Sequence, residues 1–399
     1  MIKKIMLLAG LCLGLGCIST AMPGGEAGAK KNFTISPKSK AYKNKYRKSD
    51  VYNKRTKDYL LIKSYLVTLE KAGGGTLKLK KGTYNISNAL AVPSNTKIIL
   101  ENGVVINKTA KTGVKRLPAS HILFELVRDT RIKKKGVVKR YGGEKNISII
   151  SEGSATINLG GCNKSQAIRI PHCQNVTVEN IHFKNLRNGH FIEIVGAKNT
   201  TVKGCLFEKN KSGDRCAINV DTPDKKTDGF NGAYSKFDKT PVDGLTVTGC
   251  TFKNLYRSID THKYSPNKYH QNISISDCKF INNKFSPIKM LNWRGCTIQN
   301  NIFNYVSGYS SANYKSEKFG IYILSGCGGL NIQNNSFDKV FIAIYAKDVH
   351  TQKYGKKSLK SKNRLSKQDK DSTKNNTIGA GVIIKDFNLQ NLKNALLYI

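Results

Sequence analysis

The stretch NVTVENIHFKN (175–185) returns along the chain as NTTVKGCLFEKN (199–210), GLTVTGCTFKN (244–254), NISISDCKFINN (272–283), CTIQNNIFNY (296–305) and LNIQNNSFDKV (330–340). Each copy is an alternating strand, a turn, and a second short strand. The second strand carries an anchoring aromatic: Phe183, Phe207, Phe252, Phe280, Phe303 or Phe337. The gaps between these aromatics fall in the range of structural repeats, the longest being 45 residues. Such a period specifies a solenoid, in which each unit buries its apolar face only against its neighbours. The expected class is all-β, with function carried on the outer face by columns of side chains from successive coils.

The 399 residues suit one long domain, because a solenoid has no globular size ceiling. Only 39% are hydrophobic, and Asn, Lys, Gly, Thr and Ser fill the gaps, as many short strands and tight turns require. MIKKIMLLAGLCLGLGCISTAM (1–22) reads as a secretory signal peptide: two lysines, an apolar run, then small residues. Cleavage is expected after Ala21 or Ala29. Lipidation at Cys17 would need a better −3 residue than Gly14, which favours a secreted or surface-associated product. The apolar run is short for a membrane span, and no other stretch approaches one.

The organisation expected is a leader over 1–29, a basic lead-in over 30–58 laid on the surface, and a single β-helix domain over 59–399. Insertions interrupt it near 222–244 and 350–374. YLLIKSYLVTLEK (59–71) has a helical rhythm through Leu61, Tyr65, Leu66 and Leu69 and ends at Gly73. A short helix there caps the open end of the solenoid. Cys205, Cys250 and Cys278 each stand two residues before an anchoring Phe, so they form an internal column of small hydrophobes. Asn180, Asn210, Asn254, Asn283, Asn301 and Asn335 recur near turns and are expected to support the bends.

The formal net charge is +41. Much of it lies in PKSKAYKNKYRKSDVYNKR (37–55), RIKKKGVVKR (131–140) and KYGKKSLKSKNRLSKQDK (353–370). The charge reads either as a solvated surface or as retention near an anionic polymer such as an acidic glycan or cell envelope. Nucleic acid ranks last, since no recognition-helix, RRM or zinc-finger pattern occurs and the leader directs export.

GGGTLKLKKGTY (73–84) followed by VPSNTKIILENG (92–103), with GHFIEI (189–194), AINVDTP (217–223) and KYHQNISISDCKF (268–280), resembles the secreted pectate-lyase-like superfamily. The resemblance covers residues 59–348. It implies a right-handed parallel β-helix and a polysaccharide-cleaving enzyme of lyase or hydrolase type. The reaction motifs are incomplete: PIKM (287–290) matches part of one hydrolase motif, and the Arg-x-x-Pro-x-x-Arg signature of pectate lyases is absent. Fold alone does not decide chemistry.

The first strands AIRIP, FIEIV, AINVD, SIDTH, PIKML and GIYIL align without gaps. Strand period two then turns Ile168/Ile170, Ile192/Ile194 and their counterparts inward. The outer face receives Arg169, Glu193, Asn219, Asp260, Lys289 and Tyr322 as one column. A neighbouring column holds Pro171, Val195, Asp221, His262, Leu291 and Leu324, with Asp221 and His262 adjacent. At about 4.8 Å per rung, Glu193, Asp221 and Asp260 come to very roughly 8 Å apart. That suits an inverting glycosidase, whose carboxyl groups stand about 6.5–9.5 Å apart.

In the hydrolase reading Asp221 is the general base, Glu193 or Asp260 the general acid, and His262 tunes Asp221. No cofactor is required. In the lyase reading His262 or Lys289 abstracts a proton, Arg169 pairs the substrate carboxylate, and Asp221, Asp260 and Glu193 hold calcium. Arg169, Asn219, His190, Tyr322, Tyr234 and Phe237 are the substrate-binding candidates, the aromatics by stacking on sugar rings. A third reading is a non-catalytic glycan- or wall-binding protein. In the plainest reading of the column, Glu193 simply pairs with Arg169 and Asp260 with Lys289 across rungs.

Overall fold

In the computed structural model the repeat folds as a parallel β-helix. The structure describes residues 31–379 apart from 213–214, 228, 263–264, 307–318, 341 and 348, together with 383–385 and 397–398. The leader, its cleavage positions and Cys17 lie outside them. Described strands form an eleven-stranded sheet along one side of the coil and an eighteen-stranded sheet around the remainder. Each repeat contributes one rung to the first and two short strands to the second.

The core follows from alternation. The anchoring aromatics stack face to face: Phe183–Phe207 at 5.0 Å between centroids, Phe207–Phe252 at 4.9 Å, Phe252–Phe280 at 5.0 Å, Phe280–Phe303 at 4.7 Å and Phe303–Phe337 at 4.6 Å. Their register partners are each other, so one ring per coil fills the interior. All eight described cysteines are free and buried, Cys205, Cys250 and Cys278 among them. Asparagine serves the bends in two ways. Asn180 and Asn254 adopt positive φ, the left-handed conformation this side chain tolerates. Asn301 and Asn335 instead lie inside, where Asn301 Nδ2 donates to Asn335 Oδ1 at 2.9 Å and Asn335 Nδ2 to Asn376 Oδ1 at 2.9 Å.

The capping helix spans Lys57–Lys71 and buries Leu61, Leu66 and Leu69 against the first coil. Gly74 follows it so tightly that a Cβ would stand 2.4 Å from Asn95 O. The lead-in is more than a surface layer: Lys31–Ile35 pairs in parallel with Gly75–Leu79, because Ile35 continues the inward alternation. The second insertion contains an antiparallel hairpin, Val349–Tyr354 with Lys357–Lys362. Its Tyr354 hydroxyl donates to Asp224 Oδ2 at 3.0 Å, fastening it to the first insertion.

Candidate functional site

The outer column exists in the register the alternation requires. Arg169 faces Glu193, Glu193 faces Asn219, Asn219 faces Asp260, Asp260 faces Lys289 and Lys289 faces Tyr322. It runs further at both ends, to Glu125 opposite Arg169 and Tyr345 opposite Tyr322. Glu125 was legible: ILFE (122–125) alternates as AIRIP does. In the second column Val195 faces both Pro171 and Asp221. The register then shifts after Met290, so that Leu291 pairs with Ser325 instead of Leu324. His262 lies past the end of its strand, Arg257–Asp260.

What the column lacks is exposure. The first insertion folds back over it, bringing Gly229, Phe230 and Asn231 above Arg169. The guanidinium rests 5.3 Å from the Phe230 ring. It donates to Gln166 Oε1 at 2.8 Å, Asn231 Oδ1 at 3.1 Å and Glu125 Oε1 at 3.4 Å, and its Nε lies 3.5 Å from Glu193 Oε2. Glu193 also accepts from the Gln166 amide, and Glu125 from the Tyr234 hydroxyl. Burial pushes the Glu193 carboxyl up to about 7, against the pull of Arg169 and with help from Glu125. Burial works against the Arg169 charge, but Glu125 and Glu193 outweigh it and hold the guanidinium protonated.

Asp260 is buried and ion-paired, 3.1 Å from Lys289 Nζ and 3.7 Å from Arg257 Nε. Asp221 is fully buried, accepts from Asn219 Nδ2 at 3.2 Å, and lies under the insertion backbone. A Cβ on Gly229 would stand 2.4 Å from Asp221 Oδ2. The pairs Glu193–Arg169 and Asp260–Lys289 therefore form as the plainest reading of the column has them, but inside the protein and not on a solvated face.

A pocket of about 300 Å³ remains open beside this cluster. Of the three acids only Glu193 reaches it. Lys164, Arg215, His190, His262 and Phe230 supply most of its charged and aromatic lining. His262 Nε2 is 3.3 Å from Arg215 Nη1, and His190 Nδ1 is 3.2 Å from the Cys216 carbonyl. Burial, Arg215 and His262 push the His190 pKa down to about 3. Lys164, Arg215 and Phe230 were missed in the sequence because they lie outside the strand alternation, on turns and on the insertion.

The expected sugar-stacking aromatics sit elsewhere. Tyr322 is buried against Phe319 and Tyr345, at 5.1 and 5.8 Å, and Tyr234 packs inward on Phe230. Phe237 lines a different cleft. Arg294 covers the Tyr269 ring at 3.5 Å. His172 is fully buried: its ring nitrogens lie 2.8 Å from Ser235 Oγ and 2.5 Å from Arg140 O, pinning the insertion to the coil.

Among the described residues no group of three or more metal-ligating side chains is assembled. Glu193 and Asp260 each face a cation across the rungs.

Residues 103–352 match the family model of the right-handed β-helix region. The chain belongs to this family. Two solved structures of PfbA, a surface adhesin of Streptococcus pneumoniae, share its fold with TM-scores of 0.59 and 0.57 at 20% identity. They cover 82% and 79% of this chain, and 75% and 78% of those chains. Plasmin and fibronectin-binding protein A of S. pneumoniae (strain ATCC BAA-255 / R6) is 24% identical over 278 residues, 61% of this chain. The chain spans 36% of that protein's length.

These findings correct the enzymatic expectation. The family fold stands, but these relatives are named for adhesion and for binding plasmin and fibronectin, not for cleaving a polysaccharide. The catalytic roles expected of Asp221, Glu193, Asp260, His262 and Lys289 rested on that enzymatic expectation. Of the three acids, Glu193 and Asp260 face cations and Asp221 lies beneath the insertion. No described helix is long and apolar enough to cross a membrane.

Proposed function

We propose that this protein is a non-catalytic binding protein exported to the cell surface, whose outer-face pocket holds the acidic end of a glycan. The observation that carries this reading is the division of charge around Arg169. Floor charges pair with one another, whereas Lys164 and Arg215 stand at the opening with Phe230 beside them. A site of this kind can hold a carboxylate by charge and a sugar face by apolar contact. A pocket of about 300 Å³ is at the small end for ligand sites and suits a terminal unit. The leader-like N terminus and the surface adhesins sharing the fold support the location.

The test is a glycan array probed with the wild type and with Lys164→Ala/Arg215→Ala, alongside a product-release assay. Retention of acid-terminated glycans that the variant loses, with no new reducing ends and no unsaturated product, is the expected result. Turnover of any polysaccharide would overturn the reading. Immobilised fibronectin and plasmin belong in the same screen, given the name of the curated relative.

A further inference from the structure

The basic run RIKKKGVVKR (131–140) is knitted to the first insertion. Gly136 N donates to Ala233 O at 2.9 Å, Val138 N to Tyr234 O at 2.8 Å, and Lys236 N to Val138 O at 2.8 Å. The junction leaves a cleft of about 690 Å³ lined by Lys135, Lys225, Lys236, Ser235 and Phe237, with no acid in its wall. All three lysines are exposed. Among the described residues no carboxylate pairs with any of them.

The positive surface continues beyond the cleft. Lys225 Nζ lies 4.9 Å from the Phe237 ring centre, and Lys226 and Lys239 lie 5.2 and 5.7 Å from that of Tyr354 on the hairpin. Two acids of the same insertion bond to loop donors and not to the cleft lysines. Asp224 accepts from Lys226 N, Ser265 Oγ and Tyr354 OH, and Asp238 from Arg140 N and Thr240 Oγ1. Their oxygens go to holding the loop, and neither acid makes an ion pair with Lys135, Lys225 or Lys236.

We propose that this cleft is a second binding site, separate from the outer-face pocket, for a linear sulfated polysaccharide. Closely spaced ammonium groups suit closely spaced sulfates, and the gain comes from charge concentrated on one surface. Single-stranded nucleic acid is the poorer fit. It needs open aromatic faces for base stacking, and here lysines lie over both rings. The site does not depend on the pocket reading, because it shares no lining residue with that pocket.

Heparin is the probe. The full chain is compared with Lys135→Gln/Lys225→Gln/Lys236→Gln and with an equal-charge control, Lys97→Gln/Lys253→Gln/Lys279→Gln, on exposed positions of the large sheet. Circular dichroism and thermal midpoints establish that all three are folded. The cleft variant is expected to bind heparin at least tenfold more weakly than the control, with a shallower salt dependence. Equal weakening in both variants would reduce the effect to net charge and overturn the proposal. Single-stranded oligonucleotide binding that matches heparin in affinity and in sensitivity to the cleft substitutions would overturn it in favour of nucleic acid. Loss of glycan-array binding in the pocket variant leaves this result untouched.

Discussion

Arg169 and Glu193 are register partners on adjacent rungs, and the guanidinium Nε lies 3.5 Å from the Glu193 carboxylate with both side chains buried. Glu125 approaches the same guanidinium from the preceding rung at 3.4 Å. One cation therefore serves two buried carboxyl groups. Removing the cation leaves the acids facing each other without compensation, whereas removing one acid leaves a matched pair.

Arg169→Ala is thus expected to destabilise the protein by about 3–5 kcal/mol, the range for breaking a buried ion pair from one side. Glu193→Gln should cost much less. Urea unfolding of the two variants checks the asymmetry; equal losses would mean that Arg169 acts through packing on Phe230 and not through charge.

The same cluster has a pH signature. Glu193 is raised from 4.5 to about 7, so it binds its proton more readily when folded. Its contribution is present below pH 4.5 and is lost as pH rises through 7. His270 is fully buried, and burial lowers it from 6.5 to about 3. Its neutral ring accepts from Val242 N at 3.0 Å. Unfolding takes up a proton there, so its contribution is present above pH 6.5 and is lost as pH falls toward 3. Stability against pH should therefore flatten on the neutral side in Glu193→Gln and on the acid side in His270→Asn, each measured as a difference from wild type.

Lys108 is fully buried, and its Nζ donates to the carbonyls of Ser87 at 2.7 Å, Thr109 at 2.9 Å and Ile86 at 3.2 Å. Burial lowers its pKa from 10.5 to about 8. Wild-type stability should gain from this residue as pH rises from 8 to 10.5, because the unfolded chain then holds the extra proton. Lys108→Met should abolish that slope. It strands three carbonyls while sparing the cost of a buried charge, for a net loss on the order of 2 kcal/mol near neutral pH.

Gly229 presses the insertion onto Asp221. In Gly229→Ala the new Cβ would stand 2.4 Å from the carboxylate, so the loop must lift. A stability loss of about 1–3 kcal/mol is expected. Glycan retention should fall further than stability does, since Phe230 and Asn231 move with the loop. Unchanged retention would separate the loop from binding.

The repeat, the inward aromatics and cysteines, the capping helix and the register of the outer column were all legible, because strand period and repeat period act locally. Arg169, Glu193, Asn219, Asp260, Lys289 and Tyr322 fell on one face as alternation requires. What alternation could not supply was how deep that face lies. The loop carrying Gly229, Phe230 and Asn231 leaves no periodic trace, yet it decides that Asp221 is covered and Arg169 enclosed. Tyr322 and Tyr234 are buried, Tyr322 against Phe319 and Tyr345 and Tyr234 against Phe230 and Glu125, so neither ring faces solvent.

The sequence by itself therefore determined the architecture and the order of charges along the coil, since both follow from which side of a strand each residue occupies. The tertiary structure alone decided their chemistry. Burial and cross-rung pairing turned a column that looked like an acid–base set into a buried charge cluster, and left exposed cations on the loops. A charge's function depends on its solvation and its partner, and both are set by chain segments that no local pattern brings together.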